Sequence, residues 1–168
     1  MKTHLVVHKF GEASRIGELH ALVQRAFRDL PIEPPSGVLK ETVEDFSRRL
    51  ETETALVAES AGVLVGSVFC AVKNDTLYIG RLAVRHGWRR RGVATALLDA
   101  AKAESGRLGI DRLTLNARIA MESNVALFRK HGFSVTGAQC HPGFTRPTFY
   151  EMELRLQNKS RGEADPAP

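Results

Sequence analysis

Apolar residues recur along this chain with two different periods, and the switches between them mark its elements. Leu5, Val6 and Val7 predict a first strand within residues 4–10. Over residues 12–30, Ile16, Leu19, Val23, Ala26, Phe27 and Leu30 fall three and four apart, the spacing of an amphipathic helix, with Ser14 ahead of it as N-cap. Pro31, Pro34, Pro35 and Gly37 then interrupt the chain. Val43, Phe46 and Leu50 define one face of a second helix over residues 39–51. The runs at 54–59 and 63–72 read as strands, joined as an antiparallel hairpin by Ser60-Ala61-Gly62. After an Asn74-Asp75 turn, residues 77–84 carry apolar side chains on both faces, which predicts a central, buried strand. A long helix follows at 93–108, with Val93, Leu97, Leu98 and Ala101 inward. A strand at 111–117, a shorter helix at 122–131 stopped by Gly132, and strands at 133–136 and 148–156 complete the series. This order predicts an α/β fold with a mixed, mostly antiparallel central sheet flanked by helices. The polar segment 158–168, with two prolines, reads as a flexible C-terminal tail.

Composition narrows the picture. A chain of 168 residues fits one domain, expected over residues 1–157. It has no apolar stretch long enough for a membrane helix, and its first residues do not read as a secretory signal. Cys70 and Cys140 lack metal-ligand spacing, so no metal is expected and a reducing, cytoplasmic setting is the simplest reading. The net charge of +5 is concentrated, because Arg85, Arg89, Arg90 and Arg91 fall within seven residues. Such a cluster suits a phosphate-bearing small molecule, a nucleic-acid backbone or a solvated surface. A nucleic-acid partner is disfavoured, since neither interleaved aromatic residues nor an arginine-lined recognition helix accompanies it.

The chemistry is concentrated in Leu82-Ala83-Val84-Arg85-His86-Gly87-Trp88-Arg89-Arg90-Arg91-Gly92-Val93-Ala94-Thr95. A buried strand runs through a short glycine-containing loop straight into a helix. The N–H groups of that helix's first turn have no partners within the helix, and their dipoles favour an anion by roughly 0.3–1 kcal/mol. Gly92 and Ala94 are small enough for a phosphate to approach the main chain. The segment is not a P-loop, for no Gly-Lys-Ser/Thr follows, and it lacks the three spaced glycines of a dinucleotide fingerprint. The Arg-x-x-Gly-x-Ala pattern after a strand resembles the pyrophosphate-binding signature of the GNAT superfamily of N-acetyltransferases. About thirty residues on, Asn124-Val125-Ala126-Leu127-Phe128-Arg129-Lys130-His131-Gly132-Phe133 is similar to that family's late helix. The order of elements over residues 4–156 also agrees.

The resemblance implies a GNAT-like acyltransferase fold with splayed central strands, an acetyl-CoA co-substrate and transfer to a primary amine in a ternary complex. Leu82, Ala83 and Val84 would pair with the pantetheine arm. Arg89, Arg90, Arg91, Gly92, Val93 and Ala94 would meet the pyrophosphate, with Thr95 nearby. Asn124 would touch the pantetheine, and Phe128 would lie near the thioester. The acceptor would be a small-molecule or peptide amine, and a homodimer is compatible with the pattern. Two positions depart from it: Tyr78 stands where many members have a basic glutamate, and Phe128 where many have an acidic tyrosine. Tyr78 and Tyr150 are therefore the candidates for proton transfer, with Glu59 and His141 behind them. Arg81 and Arg118 would favour a carboxylate-bearing acceptor if they faced the cleft, and would otherwise be structural ion pairs. The losses also keep open an acyl-CoA-binding module of the same fold with little or no turnover.

Overall fold

The computed structural model describes residues 4–157, so the expected tail lies outside the described residues. Seven strands form one sheet in the order β1-β2-β3-β4-β5-β7-β6. They are β1 (Val6–Lys9), β2 (Thr54–Ser60), β3 (Val63–Lys73), β4 (Thr76–Val84), β5 (Arg112–Arg118), β6 (Ser134–Gln139) and β7 (Phe149–Arg155). Only β4 and β5 run parallel; the other neighbours are antiparallel. The helices are α1 (Ile16–Arg28), α2 (Val43–Arg49), α3 (Val93–Arg107) and α4 (Glu122–Lys130).

The sheet separates two apolar clusters. Leu19, Leu22 and Val23 of α1 and Phe46 of α2 pack on Val57, Leu64 and Phe69 from one side. Val93, Leu97, Leu98 and Ala101 of α3 and Val125 and Phe128 of α4 pack on Val65, Leu77, Leu113 and Met152 from the other. Gly66 on β3 lets α3 approach closely, for a Cβ there would lie 2.6 Å from Val93 Cγ1 and 3.0 Å from Leu97 Cδ1. Gly132 stops α4 with φ +96°, and the Phe133 N–H donates to the Phe128 carbonyl at 3.0 Å. The Phe128 and Phe133 rings then meet edge to face, 6.1 Å apart.

Several element ends differ from the sequence expectation. Ser14 does not cap α1: a 3-10 turn at Ala13–Arg15 leads into the helix, whose N-cap is Arg15 without a side-chain bond. The Arg15 guanidinium is instead drawn to Glu18 and Glu59, and these ion pairs fix the chain's entry. The second predicted helix divides into a 3-10 turn, Gly37–Lys40, and α2, because Thr42 and Asp45 form a reciprocal capping box that starts the helix afresh. Strand β6 extends to Gln139, three residues past the predicted end, because β7 supplies a pairing edge along its whole length.

Glu104 ties α3 to β1. Its carboxylate, only 6% exposed, meets Lys9 Nζ at 3.1 Å and Arg107 Nη2 at 2.7 Å. The hydrogen bond from Arg107 holds its pKa down at about 2, with Lys9 adding to the effect. A carboxylate depressed on folding contributes stability that is complete above its unfolded value of about 4.5 and is lost as the pH falls through its folded value. The contribution is roughly 3 kcal/mol at most. Urea unfolding of wild type and Glu104→Gln should therefore show a stability gap that is constant above about pH 5 and closes towards pH 2. A gap independent of pH would show that Glu104 acts through packing alone.

Candidate active site

The two parallel strands at the sheet's centre part company halfway along. β4 and β5 pair only from Thr76 opposite Arg112 to Ile79 opposite Leu115. Beyond that, β4 follows β3 to Val84 and β5 follows β7 to Arg118, leaving a wedge. A bulge at the parting point contributes to the divergence. Ser67 faces Ala83 and Phe69 faces Gly80, so Arg81 and Leu82 together oppose Val68, and Arg81 takes φ +53°. The extra residue also exchanges the faces of the strand. Leu77 and Ile79 pack with the α3–α4 cluster before the bulge, and Leu82 and Val84 do so after it, while Ala83 joins the α1–α2 cluster. The main chain of β4 from Gly80 to Val84 thus has no strand partner on its β5 side, an edge that can pair with an extended ligand.

At the mouth of the wedge the chain turns into α3. Arg90 and Gly92 both adopt positive φ, +59° and +80°, which curls the loop around its own N–H groups. Gly92 is the N-cap of α3, contributes no side-chain bond, and is followed by no acidic residue in the first turn. A Cβ on Gly92 would meet nothing within 4 Å, so open space lies against the helix's positive end. The adjoining cavity has a volume of about 480 Å³, within the usual range for ligand sites. Leu82, Ala83, Val84, Arg89, Arg90, Gly92, Val93, Ala94, Thr95 and Asn124 line it, so ten of the expected binding residues come together. The Thr95 hydroxyl also lies 3.3 Å from His131 Nε2, joining the first turn of α3 to the end of α4. Arg91 does not line the cavity; its guanidinium stacks 4.2 Å over the Trp88 ring.

A smaller cavity of about 180 Å³ opens from the first one, on the α1 side of the split. The two share Phe27, Leu30, Leu82, Met121 and Asn124. Phe128 lies here, buried to 7% exposure, together with Tyr78, Phe149, Asn116, Arg81 and Arg118. Burial raises the Tyr78 pKa above its ordinary value, with nearby Arg81 opposing, so the hydroxyl stays protonated and suits donation rather than proton removal. Lys73 Nζ sits 4.1 Å over the Tyr78 ring. No Asp, Glu or His side chain lines this cavity among the described residues.

The other candidates stand elsewhere. Tyr150 lines neither cavity and packs against the α3–α4 cluster; along β7 its neighbour Phe149 faces the small cavity instead. Glu59 is engaged by His8 Nε2 at 2.7 Å and by Arg15, and the His8 bond holds its carboxyl below the usual range. His141 bonds to the Thr148 hydroxyl and meets the Phe149 ring edge to face at 4.9 Å. Arg81 is paired with Glu41, its Nε donating at 3.2 Å. Arg118 has no such partner among the described residues, and its Nη1 is buried there without a hydrogen bond. The sequence reading missed Phe27, Leu30, Trp88, Met121, Ser123 and Leu127, all of which line the larger cavity. Phe27 and Leu30 lie in the apolar stripe of the first helical segment, and periodicity does not separate a core-facing residue from a cleft-facing one.

A split sheet, an exposed strand edge and a loop curled around its own N–H groups at a helix start, opening on a second small cavity, define the fold and cleft of an acyltransferase. Residues 18–133 match the family model described as the Acetyltransferase (GNAT) family, and the chain belongs to that family. No curated protein matches it by sequence. Among solved structures it is similar to the ribosomal-protein-S18-alanine N-acetyltransferase from Escherichia coli, with a TM-score of 0.75 at 18% identity over 94% of this chain and 98% of that one. The ribosomal-protein-alanine N-acetyltransferase from Brucella melitensis gives 0.76 at 19% identity, covering 90% and 99% of the two chains. The PaiA N-acetyltransferase from Thermoplasma acidophilum, in complex with coenzyme A, gives 0.75 at 14%, covering 91% and 99%. At such identities the likeness establishes the fold. Among the described residues no group of His, Cys, Asp and Glu could hold a metal ion, and no helix is long and apolar enough to cross a membrane.

Proposed function

We propose that the protein transfers an acetyl group from acetyl-CoA to the primary amine of a small acceptor, directly and within a ternary complex. The observation that carries this reading is the continuity of the two cavities through Leu82, Met121 and Asn124. A thioester whose pyrophosphate rests on Gly92 and the start of α3 would lie along the free edge of β4, with its acyl end at the small cavity. The amine enters from that cavity. Its nitrogen bonds to the thioester carbonyl carbon, the carbon–sulfur bond breaks, the amine gives up a proton and the thiolate takes one.

The cleft contributes mainly alignment, an effect that can supply roughly 7–11 kcal/mol. With no carboxylate or histidine lining the small cavity, water at its mouth is the base for an amine of pKa about 10.4. Tyr78 is the proton donor this reading assigns to the departing sulfur. An acyl-enzyme step has little support. Cys70 is 2% exposed, with its pKa pushed up to about 12 by burial, and Cys140 lines neither cavity.

Phe128 and the lack of an acidic side chain in the cavity favour a second reading, an acyl-CoA-binding module with little turnover. Two measurements separate them. Acetyl-CoA at about one hundred times its dissociation constant should stabilise the fold by about 2.7 kcal/mol under either reading. Release of free thiol on adding an amine panel should occur only if the protein is an enzyme. Binding without thiol release across the panel selects the module, and no melting shift with millimolar acetyl-CoA removes both.

A further inference from the structure

Several partly buried arginines around the sheet are neutralised by carboxylates. Glu41 takes Arg81 and Arg49, Glu153 and Asp75 take Arg112, and Glu18 and Glu59 take Arg15. Arg118 is different. It is the last residue of β5, opposite Phe149 on β7, at the open end of the split. The residue lines both the small cavity and a second hollow near Pro147 and Thr148. Nη1 is shielded from solvent yet bonds to nothing among the described residues. Burial alone depresses its pKa, with no carboxylate acting on the group. Glu33 borders the second hollow but makes no ion pair with it among the described residues. A half-buried guanidinium with one nitrogen shielded from water and unbonded is unfavourable. It becomes favourable once a planar anion fills its fork of donors.

The geometry points to Arg118 as the anchor for a carboxylate on the acceptor, so that the acceptor is a small amino carboxylate rather than a simple alkylamine or a polyamine. This rests on the acyl-transfer reading of the cleft and adds the substrate class. The small cavity, at about 180 Å³, lies below the roughly 300–1,000 Å³ of sites for larger ligands, which favours a free amino acid over a folded protein's surface. A polyamine would require acidic side chains along the cavity, and among the described residues the lining offers arginine, asparagine, serine, tyrosine and apolar groups but no carboxylate.

The test uses matched pairs, each an amino acid and its own amide, with α-, β- and γ-placed amines, under saturating acetyl-CoA. At least one skeleton should show kcat/KM about 10-fold or more higher for the acid than for the amide, and Arg118→Gln should cut that ratio by about 10- to 100-fold, the range for a charge-assisted pair. Arg118→Lys keeps the charge without the fork and should recover only part of the preference. The ligand-free Arg118→Gln protein should melt no lower than wild type, because it removes an uncompensated buried charge. Equal rates for acid and amide in wild type, or an unchanged ratio in Arg118→Gln, overturn the assignment. So does a melting temperature lowered by several degrees with selectivity intact, which marks a structural arginine. If no amine is acetylated at all, the acyl-transfer reading fails by itself. Arg118 is then judged by calorimetric titration of the same acids and amides into the CoA-saturated protein. Acid-selective binding that Arg118→Gln removes supports the anchor, and its absence rejects it.

Discussion

Gly92→Asp should leave the protein folded and weaken CoA binding by more than about 100-fold, about 2.8 kcal/mol at 1.4 kcal/mol per factor of ten. Gly92 has φ +80°, where a residue with a Cβ is strained by roughly 1–2 kcal/mol. Aspartate is also among the best N-caps, and its carboxylate would satisfy first-turn N–H groups that have no side-chain cap in wild type. The two effects largely offset each other, so the fold should survive. The ligand gains no such compensation. A Cβ at this position projects into open space at the cradle, so the carboxylate occupies the volume a phosphate needs. It also repels each phosphate charge by roughly 1–4 kcal/mol at 4 Å, depending on local screening. Gly92→Asn provides the control, with the same shape, no charge and better tolerance of positive φ. Binding measured by melting shift should fall in the order glycine, asparagine, aspartate. Unchanged CoA affinity in a folded Gly92→Asp protein would place the cradle elsewhere.

The second large effect concerns turnover. Tyr78→Phe is expected to lower kcat by about 100-fold, the lower end for a general acid, while leaving the KM for acetyl-CoA nearly unchanged. The ring keeps its place under Lys73 in the small cavity, and only the oxygen is lost. Phe128→Tyr places a hydroxyl at another aromatic position lining the same cavity. It should gain little in the wild-type background and recover turnover in the Tyr78→Phe background. Tyr150→Phe should have little effect, because that side chain packs on the α3–α4 cluster and lines neither cavity. Full turnover in Tyr78→Phe would show that no acid on β4 is needed and that alignment with solvent suffices.

Much of the larger cavity's lining was legible because its parts are contiguous. Strand, glycine loop and helix start are local structures, and Leu82, Ala83, Val84, Arg89, Arg90, Gly92, Val93, Ala94 and Thr95 line one cavity from one stretch of chain. The helices were legible for a similar reason: the inward residues Val93, Leu97, Leu98 and Ala101 repeat at the helical period and are buried as expected. The acid candidates were less tractable. Tyr78 and Tyr150 are alike in sequence, two aromatic residues in apolar strands. Their difference comes from which face of the sheet each occupies, and that depends on register. On β4 the register changes at the Arg81–Leu82 bulge, where Val68 faces two residues, and strict alternation through the strand gives the wrong face beyond it.

The order of elements, the stretch from Leu82 to Thr95 that supplies much of the larger cavity's lining, and the identities of Tyr78 and Phe128 could be read from the sequence alone. These depend on period, glycine placement and residue identity, which are properties of neighbouring residues. Only the tertiary structure decided which arginines are neutralised. Arg81 and Arg118 carry the same charge near the ends of adjacent strands, yet Glu41, forty residues before Arg81, reaches the first, while the second has a buried nitrogen with no partner among the described residues. An ion pair depends on two side chains meeting through space within a few ångströms, and no spacing along the chain encodes that meeting.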